Sequence, residues 1–300
     1  YFGVSWQTKL KEMITLSEYY FPIYESILDK HNLPLELKYV SVIESALNPY
    51  ATSRSGAVGL WQFMPYTGKL YDLTIDRYQD QRRDVELSTE AACGYFSDMS
   101  KQFDDWLVVI ASYNCGPGNI RKAIKKAGGK TGFWDIYPYL PSQTQHYIPS
   151  FISVAYLMNF YAEYGIFPSE VTMPNKDVTS VVCSPDHHLK AISEILEIPV
   201  ADIRALNPSL KADDLPSNVD QIHIKLPSHC AYSFIEKEQE IKTLSAEYKA
   251  AVKEVVYVVK RGDSLQRVAN LYGCSVTELK DWNGLSSNLI HPGSRLKLYL

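Results

Sequence analysis

The sequence predicts an α+β multidomain protein. A mostly α domain over residues 1–168 is followed by two small βααβ modules, 178–227 and 255–300, with a charged helical connector, 228–254, between them. Three observations predict this. The first half reads as a series of helical stretches, the first with apolar residues at three- and four-residue steps, and nothing there alternates as a strand does. Composition turns β-branched just after Pro168. The end of the chain then repeats its own plan.

In the first domain, TKLKEMITLSEYYFPIYESILDKHN has the helical period and stops at His31-Asn32, ahead of Leu33-Pro34. Pro34 suits the first turn of a new helix, PLELKYVSVIESAL, which breaks off before Pro49. VELSTEAACGYFSDMSKQF and WLVVIASYNC follow as helices, and Gly116-Pro117-Gly118 interrupts them. GNIRKAIKKAG and SQTQHYIPSFISVAYLMNFYAEYG complete the domain.

Each module reads strand, helix, helix, strand. DVTSVVC, HHLKAISEILEIPVADIRALNP and DQIHIKLP form the first copy; VVYVVKRGDSLQRVANLYGCSVTELKDWNG and SRLKLYL form the second. Leu189, Ile192, Leu196, Val200, Ile203 and Asn207 match Leu265, Val268, Tyr272, Val276, Leu279 and Asn283, each pair 76 positions apart (283 − 207 = 76). Between the copies, SFIEKEQEIKTLSAEYKAAVKEV is dense in both charges and reads as an exposed connecting helix with opposite charges four residues apart.

A net charge of -4 gives no basic face for nucleic acid or an anionic membrane. No apolar run approaches the roughly 18–20 residues that a membrane span needs. The opening YFGVSWQTKL has neither an initiator Met nor a charged-then-apolar leader, so it reads as a trimmed chain whose export signal or lipid anchor has been lost. None of the five cysteines sits at CxxC spacing, which argues against a zinc or thioredoxin-like site. Cys183 and Cys230 flank the first module and are candidates for pairing, against buried free thiols as the alternative. The 22 tyrosines suit sugar faces or a core, and the core is the default.

Chemistry concentrates at three places. Glu44 stands at the edge of an apolar stripe of Leu37, Val40, Ile43 and Leu47, near a helix C-terminus. The ordinary reading is a partly solvated acid. Partial burial and the negative end of the helix dipole would both raise its pKa, giving an acid able to protonate a leaving oxygen. NPYATSRSGAVGLWQFMPYTG then mixes glycines with flat rings and an amide, suited to wrapping a ring-shaped polar ligand or simply to a Gly-rich loop. Tyr113 and Asn114 end a helix at a Gly-Pro-Gly stop, as a cap or as ligand contacts.

In order and spacing, ESALNPYATSRSGAVGLWQFMP, SYNCGPGN and QHYIP resemble the lytic murein transglycosylases, and within them the membrane-bound type D branch, whose lysozyme-like domain is followed by LysM repeats. The resemblance covers nearly the whole chain. It implies a lysozyme-like fold for the first domain, with Glu44 as the single catalytic acid/base. Ser53, Gln62 and Met64 would line the cleft, Tyr113 and Asn114 would bind substrate, and Tyr147 would place its hydroxyl near Glu44. Ser45 would stabilise local backbone. Cys115 departs from the Ala of many relatives, a small change in volume.

Most glycosidases use two carboxylates. The motifs here supply only Glu44; Asp72 and Asp76 match no motif position. The resemblance implies that Glu44 protonates the oxygen between MurNAc and GlcNAc while the sugar's 2-acetamido group stabilises the electron-poor carbon. The resulting carboxylate then takes the C6 hydroxyl proton, so that a 1,6-anhydro ring forms without water. No cofactor or metal is expected.

The terminal repeat resembles a LysM module, which implies binding of N-acetylglucosamine chains through Gly262, Asp263, Ser264, Leu289 and Ile290. Asp263 or Ser264 would cap its first helix. The first copy shows PDHHL where the second has GDSL, and is expected to be mainly structural; His187 and His188 beside Asp186 are expected to be solvated rather than metal-bound. The resemblance further implies a monomer acting on peptidoglycan glycan strands in the periplasm of the bacterial cell envelope, touching membrane only through an outer-membrane lipid anchor. Two other readings remain open: a hydrolytic muramidase akin to goose-type lysozyme, and a non-catalytic wall-binding protein.

Overall fold

In a computed structural model the described residues are 4–169, 177–216, 219–251 and 254–299. The expected limits at 1 and 300, positions 217 and 218 of the first module, and positions 252 and 253 of the connector lie outside them. The chain divides into two units, Tyr1–Ile75 with Gln81–Met173 and Asp76–Asp80 with Pro174–Leu300. Among the described residues no helix is long and apolar enough to cross a membrane.

The first unit is helical: α1 (Val4–Lys30), α2 (Lys38–Ser45), α3 (Pro65–Leu70), α4 (Val85–Ser100), α5 (Trp106–Cys115), α6 (Pro117–Lys126), α7 (Phe133–Ile136) and α8 (Ser142–Phe160). Asp84 and Asp105 start α4 and α5 by accepting backbone N–H groups that lack partners inside a helix. Gly116, at φ 79, ends α5, and Pro117 opens α6 at once. The core is a relay of rings. Tyr24 of α1 meets Trp61 (5.2 Å between centroids), Trp61 meets Phe96 (6.2 Å), and Phe96 stacks on Tyr113 of α5 (5.1 Å). Trp61 is fully buried, and its Nε1–H donates to Thr89 Oγ1 at 2.9 Å, which meets the need of its one polar atom.

The second expected helix differs at both ends. Leu35–Leu37 form a 3₁₀ turn, and α2 stops at Ser45 because Ala46 (φ 53) and Leu47 (φ 61) are left-handed. Such residues cost about 1–2 kcal/mol each. Burying Leu47 completely returns about 1.5–3 kcal/mol, which offsets most of the strain of the pair.

The second unit contains two copies of one fold. In the first, β1 (Val178–Cys183) leads to α9 (Leu189–Leu196), α10 (Val200–Leu206) and β2 (Ile222–Pro227), then α11 (Ala231–Glu236) and α12 (Glu238–Ala251). In the second, β3 (Glu254–Val258) leads to α13 (Leu265–Tyr272), α14 (Val276–Asn283) and β4 (Arg295–Tyr299). Each copy has one antiparallel strand pair, with Val181 opposite Ile224 and Val256 opposite Lys297. The same amide clamp recurs. Asn207 Nδ2 donates to the Ile203 and Lys225 carbonyls and its Oδ1 accepts Lys225 N–H; Asn283 does the same with Leu279 and Lys297.

Two expectations are corrected. The connector is not an exposed helix: Cys230, Phe234, Ile241 and Ser245 are buried, the first three in the core that Leu189, Ile192 and Ile224 form. His187 and His188 are buried rather than solvated. Of the two readings open for Cys183 and Cys230, the structure has free, buried thiols, with burial pushing the Cys183 thiol up to about 12. Asp76–Asp80 pair within this unit, Asp80 N–H donating to Ser209 O and Lys211 N–H to Tyr78 O, each at 2.8 Å.

Candidate active site

Glu44 occupies the last turn of α2, half-buried. Tyr147 of α8 donates its hydroxyl to Glu44 Oε1 at 2.5 Å. No hydrogen bond takes the second carboxyl oxygen, and no cation pairs with Glu44, among the described residues. Burial raises its pKa above the ordinary 4.5, and the Tyr147 hydrogen bond opposes this less strongly. The Tyr147 and Tyr113 hydroxyls are themselves pushed far up, by burial first and by the Glu44 charge second, so both stay protonated donors.

The end of α2 is fastened to the loop that follows. Ser41 and Ser45 hydroxyls both reach the Leu60 carbonyl, at 3.0 and 2.8 Å. Tyr113 donates to the next carbonyl, of Trp61, at 2.7 Å. The backbone between these anchors and Gln62 is tightly shaped. Gln62 has φ 50, and its Nε2 donates to the Ala51 and Gly59 carbonyls at 3.1 and 2.9 Å, which leaves its Oε1 for other partners. Gly59 has φ 89, and a Cβ there would lie 1.8 Å from the Arg82 carbonyl oxygen, so only glycine fits. Buried Arg82 clamps the loop from behind, donating Nη1 to the Gly56 and Phe63 carbonyls, both at 3.0 Å.

The expected site residues therefore divide. Glu44 and Tyr147 meet directly. Tyr113 is joined to the residue before Gln62. Asn114 is held by Thr144, whose hydroxyl donates to Asn114 Oδ1 at 2.9 Å, and its Nδ2 finds no partner among the described residues. Ser53 is engaged in its own turn, its hydroxyl accepting Ala57 N–H at 2.9 Å, and exposed Met64 caps α3. Neither is hydrogen-bonded to Glu44. Asp76 caps a turn, accepting Tyr78 and Gln79 N–H. Thr144 and Arg82 went unread in the sequence. A polar residue three positions before Tyr147 on a helix that must bury one face was the available signal for Thr144.

In the terminal copy, Arg261 and Gly262 (φ 89) form a turn, and Asp263 and Ser264 lead from it into α13. Ser264 is the helix cap, accepting Arg267 N–H, while the Asp263 carboxylate accepts Tyr257 Oη–H (2.6 Å) and Lys260 N–H (2.7 Å). Those bonds hold the Asp263 carboxyl below its usual range. Leu289 is exposed, and Ile290 packs against the copy's core. No hydrogen bond joins the two stretches among the described residues.

The Transglycosylase SLT domain family matches residues 22–135, the LysM-like domain of lytic transglycosylase MltD matches 177–243, and the LysM domain matches 257–298. Membrane-bound lytic murein transglycosylase D of Escherichia coli (strain K12) is 33% identical over 285 residues, 90% of this chain and 61% of that protein. The chain thus spans less than two thirds of that relative's length. The soluble lytic murein transglycosylase of Salmonella typhimurium is 29% identical over 129 residues, 40% of this chain and 20% of its own. A solved structure, the 70 kDa soluble lytic transglycosylase from Escherichia coli, aligns with TM-score 0.41 and 23% identity over 49% of this chain and 26% of that one. In chain order, then, the sequence is similar to a Transglycosylase SLT domain, to the LysM-like domain of lytic transglycosylase MltD and to a LysM domain.

Proposed function

We propose that the protein is a lytic transglycosylase that cuts the MurNAc-β-1,4-GlcNAc bond of peptidoglycan and leaves 1,6-anhydroMurNAc ends. The observation that carries the reading is the solitary, half-buried Glu44 with Tyr147 on one oxygen and the other oxygen open. In the ground state, burial favours the protonated acid. The open oxygen donates its proton to the bridging oxygen as the C1–O bond breaks, and the substrate's acetamido oxygen supports C1. Glu44 is then a carboxylate, the form that the Tyr147 hydrogen bond stabilises. It accepts the O6 proton while O6 bonds to C1, so the glutamate ends as it began and no water is consumed.

On this reading residues 1–168 are the catalytic domain, with Ser53, Gln62, Met64, Tyr113 and Asn114 along the bound glycan. The terminal module at 255–300 holds the enzyme on the polymer through Gly262, Asp263, Ser264, Leu289 and Ile290, and the module at 178–227 is mainly structural. The place of action is the periplasmic face of the cell envelope, as a monomer tethered by a lipid anchor outside this sequence. The names of the matching relatives and the match of three families in this order support the reading. Mass spectrometry of sacculi digested by the purified protein tests it. Anhydro ends, lighter by one water than hydrolysed ends, are expected; hydrolysed ends would make the protein a muramidase, and uncut sacculi a binding protein.

A further inference from the structure

Asp186, His187 and His188 stand where the terminal copy has Gly262, Asp263 and Ser264, at the same 76-residue offset (264 − 188 = 76). His188 caps α9 as Ser264 caps α13, each accepting a backbone N–H at the helix start. The surroundings of the two loops differ. Gly262 and Ser264 are exposed, whereas His187 and His188 are 0% and 5% exposed. What covers them is α11 and α12. Phe234 stacks on His187 with 5.5 Å between centroids. Tyr248 lies flat on His188, 5.1 Å away and 7° from parallel, while Ser245 Oγ accepts His188 N–H at 3.0 Å. Tyr248 Oη donates to Glu194 at 2.7 Å, and Lys249 Nζ donates to the Pro185 carbonyl. The loop also closes on the chain after α10: Leu189 N–H donates to Asp213 O at 2.8 Å, and His188 bridges Asp214.

We propose that α12 is the resident occupant of the first copy's groove, filling the place that a glycan takes in the terminal copy. A pyranose offers such a groove a flat apolar face and hydroxyls for main-chain N–H groups. Tyr248 supplies the flat face and Ser245 the hydroxyl, both from the same chain. An intramolecular occupant competes at the effective concentration its short tether gives it, and buried Ile241 secures the helix besides. The groove is therefore closed to soluble glycan, and binding through these modules falls to the terminal copy alone. The inference rests on the reading that Gly262, Asp263 and Ser264 contact glycan.

Hydrogen–deuterium exchange of the full chain, with and without a GlcNAc pentamer, tests it. The pentamer should slow exchange in peptides spanning 262–264 and leave those spanning 186–188 unchanged. The double variant Ser245→Ala/Tyr248→Ala should speed exchange at 186–188 about tenfold, with the response at 262–264 retained. Slowing at both loops in the wild-type chain would overturn the occupancy of the groove and leave the terminal site standing. An unaltered rate at 186–188 in the double variant would overturn it too. Slowing at neither loop would remove the terminal glycan site, and this proposal with it.

Discussion

Tyr147 donates to Glu44 at 2.5 Å across 103 positions of sequence, the bond by which α8 reaches the end of α2. It is the one influence that holds the Glu44 pKa down against burial. As a proton donor, Glu44 must be protonated, so the rate should fall as pH rises through its elevated pKa. Tyr147→Phe should move that falling limb to higher pH. It should also lower kcat by roughly 10–100-fold, the worth of about 1.5–3 kcal/mol for a hydrogen bond to a charged group. A pH–rate profile of the two proteins checks both; an unmoved limb would show that the hydroxyl does not act on the acid.

Glu44→Gln should abolish cleavage and leave the fold intact. Because burial raises the folded-state pKa of Glu44, the wild-type contribution to stability is full below the unfolded value and is lost as pH rises through the folded value. Glutamine imitates the protonated acid at every pH. The variant should therefore melt at or above the wild-type temperature at neutral pH, and the difference should shrink toward zero in acid. Calorimetry at two pH values decides it, and a variant less stable at neutrality contradicts the burial argument.

Thr144→Val keeps the shape and removes the donor to Asn114 Oδ1. Asn114 should then lose its fixed orientation, raising KM or lowering kcat by about tenfold, the scale of one hydrogen bond of about 1 kcal/mol or more. Thr144→Ser should retain activity. In Asn114→Ala, the Val substitution should add nothing; additive losses would mean that Thr144 acts elsewhere.

Gly59→Ala confronts a 1.8 Å approach to the Arg82 carbonyl and a φ of 89. Left-handed strain and overpacking together cost about 2–5 kcal/mol. A large drop in denaturation midpoint is the expected result. A protein of unchanged stability would mean that the loop readily takes another path.

The first helix, α1, shows itself by its apolar period, α5 and α8 by unbroken helix-compatible runs, and the stop at Gly116-Pro117 by its residue types. The stop after Ser45 does not, since alanine and leucine announce no turn; the burial of Leu47 offsets most of its strain. Helices α3 and α7, at 6 and 4 residues, are too short for a period to show. The charge of 228–254 hid its buried side because Phe234, Ile241 and Ser245 are few among many lysines and glutamates. Within the site, motif order drew attention to Glu44, Gln62, Tyr113 and Tyr147. The supports were invisible because their targets are carbonyls: Leu60 and Trp61 accept through backbone, which leaves no trace in residue identity.

The amide clamp of Asn207 and Asn283 bears on how far two copies of one module can differ. One side chain in each copy stitches the second helix to the last strand, using bonds that involve no residue of the outer loops. Closure of the fold is thereby uncoupled from the surface that meets the outside world. One copy thus carries Asp-His-His where the other carries Gly-Asp-Ser, and both close by the same clamp.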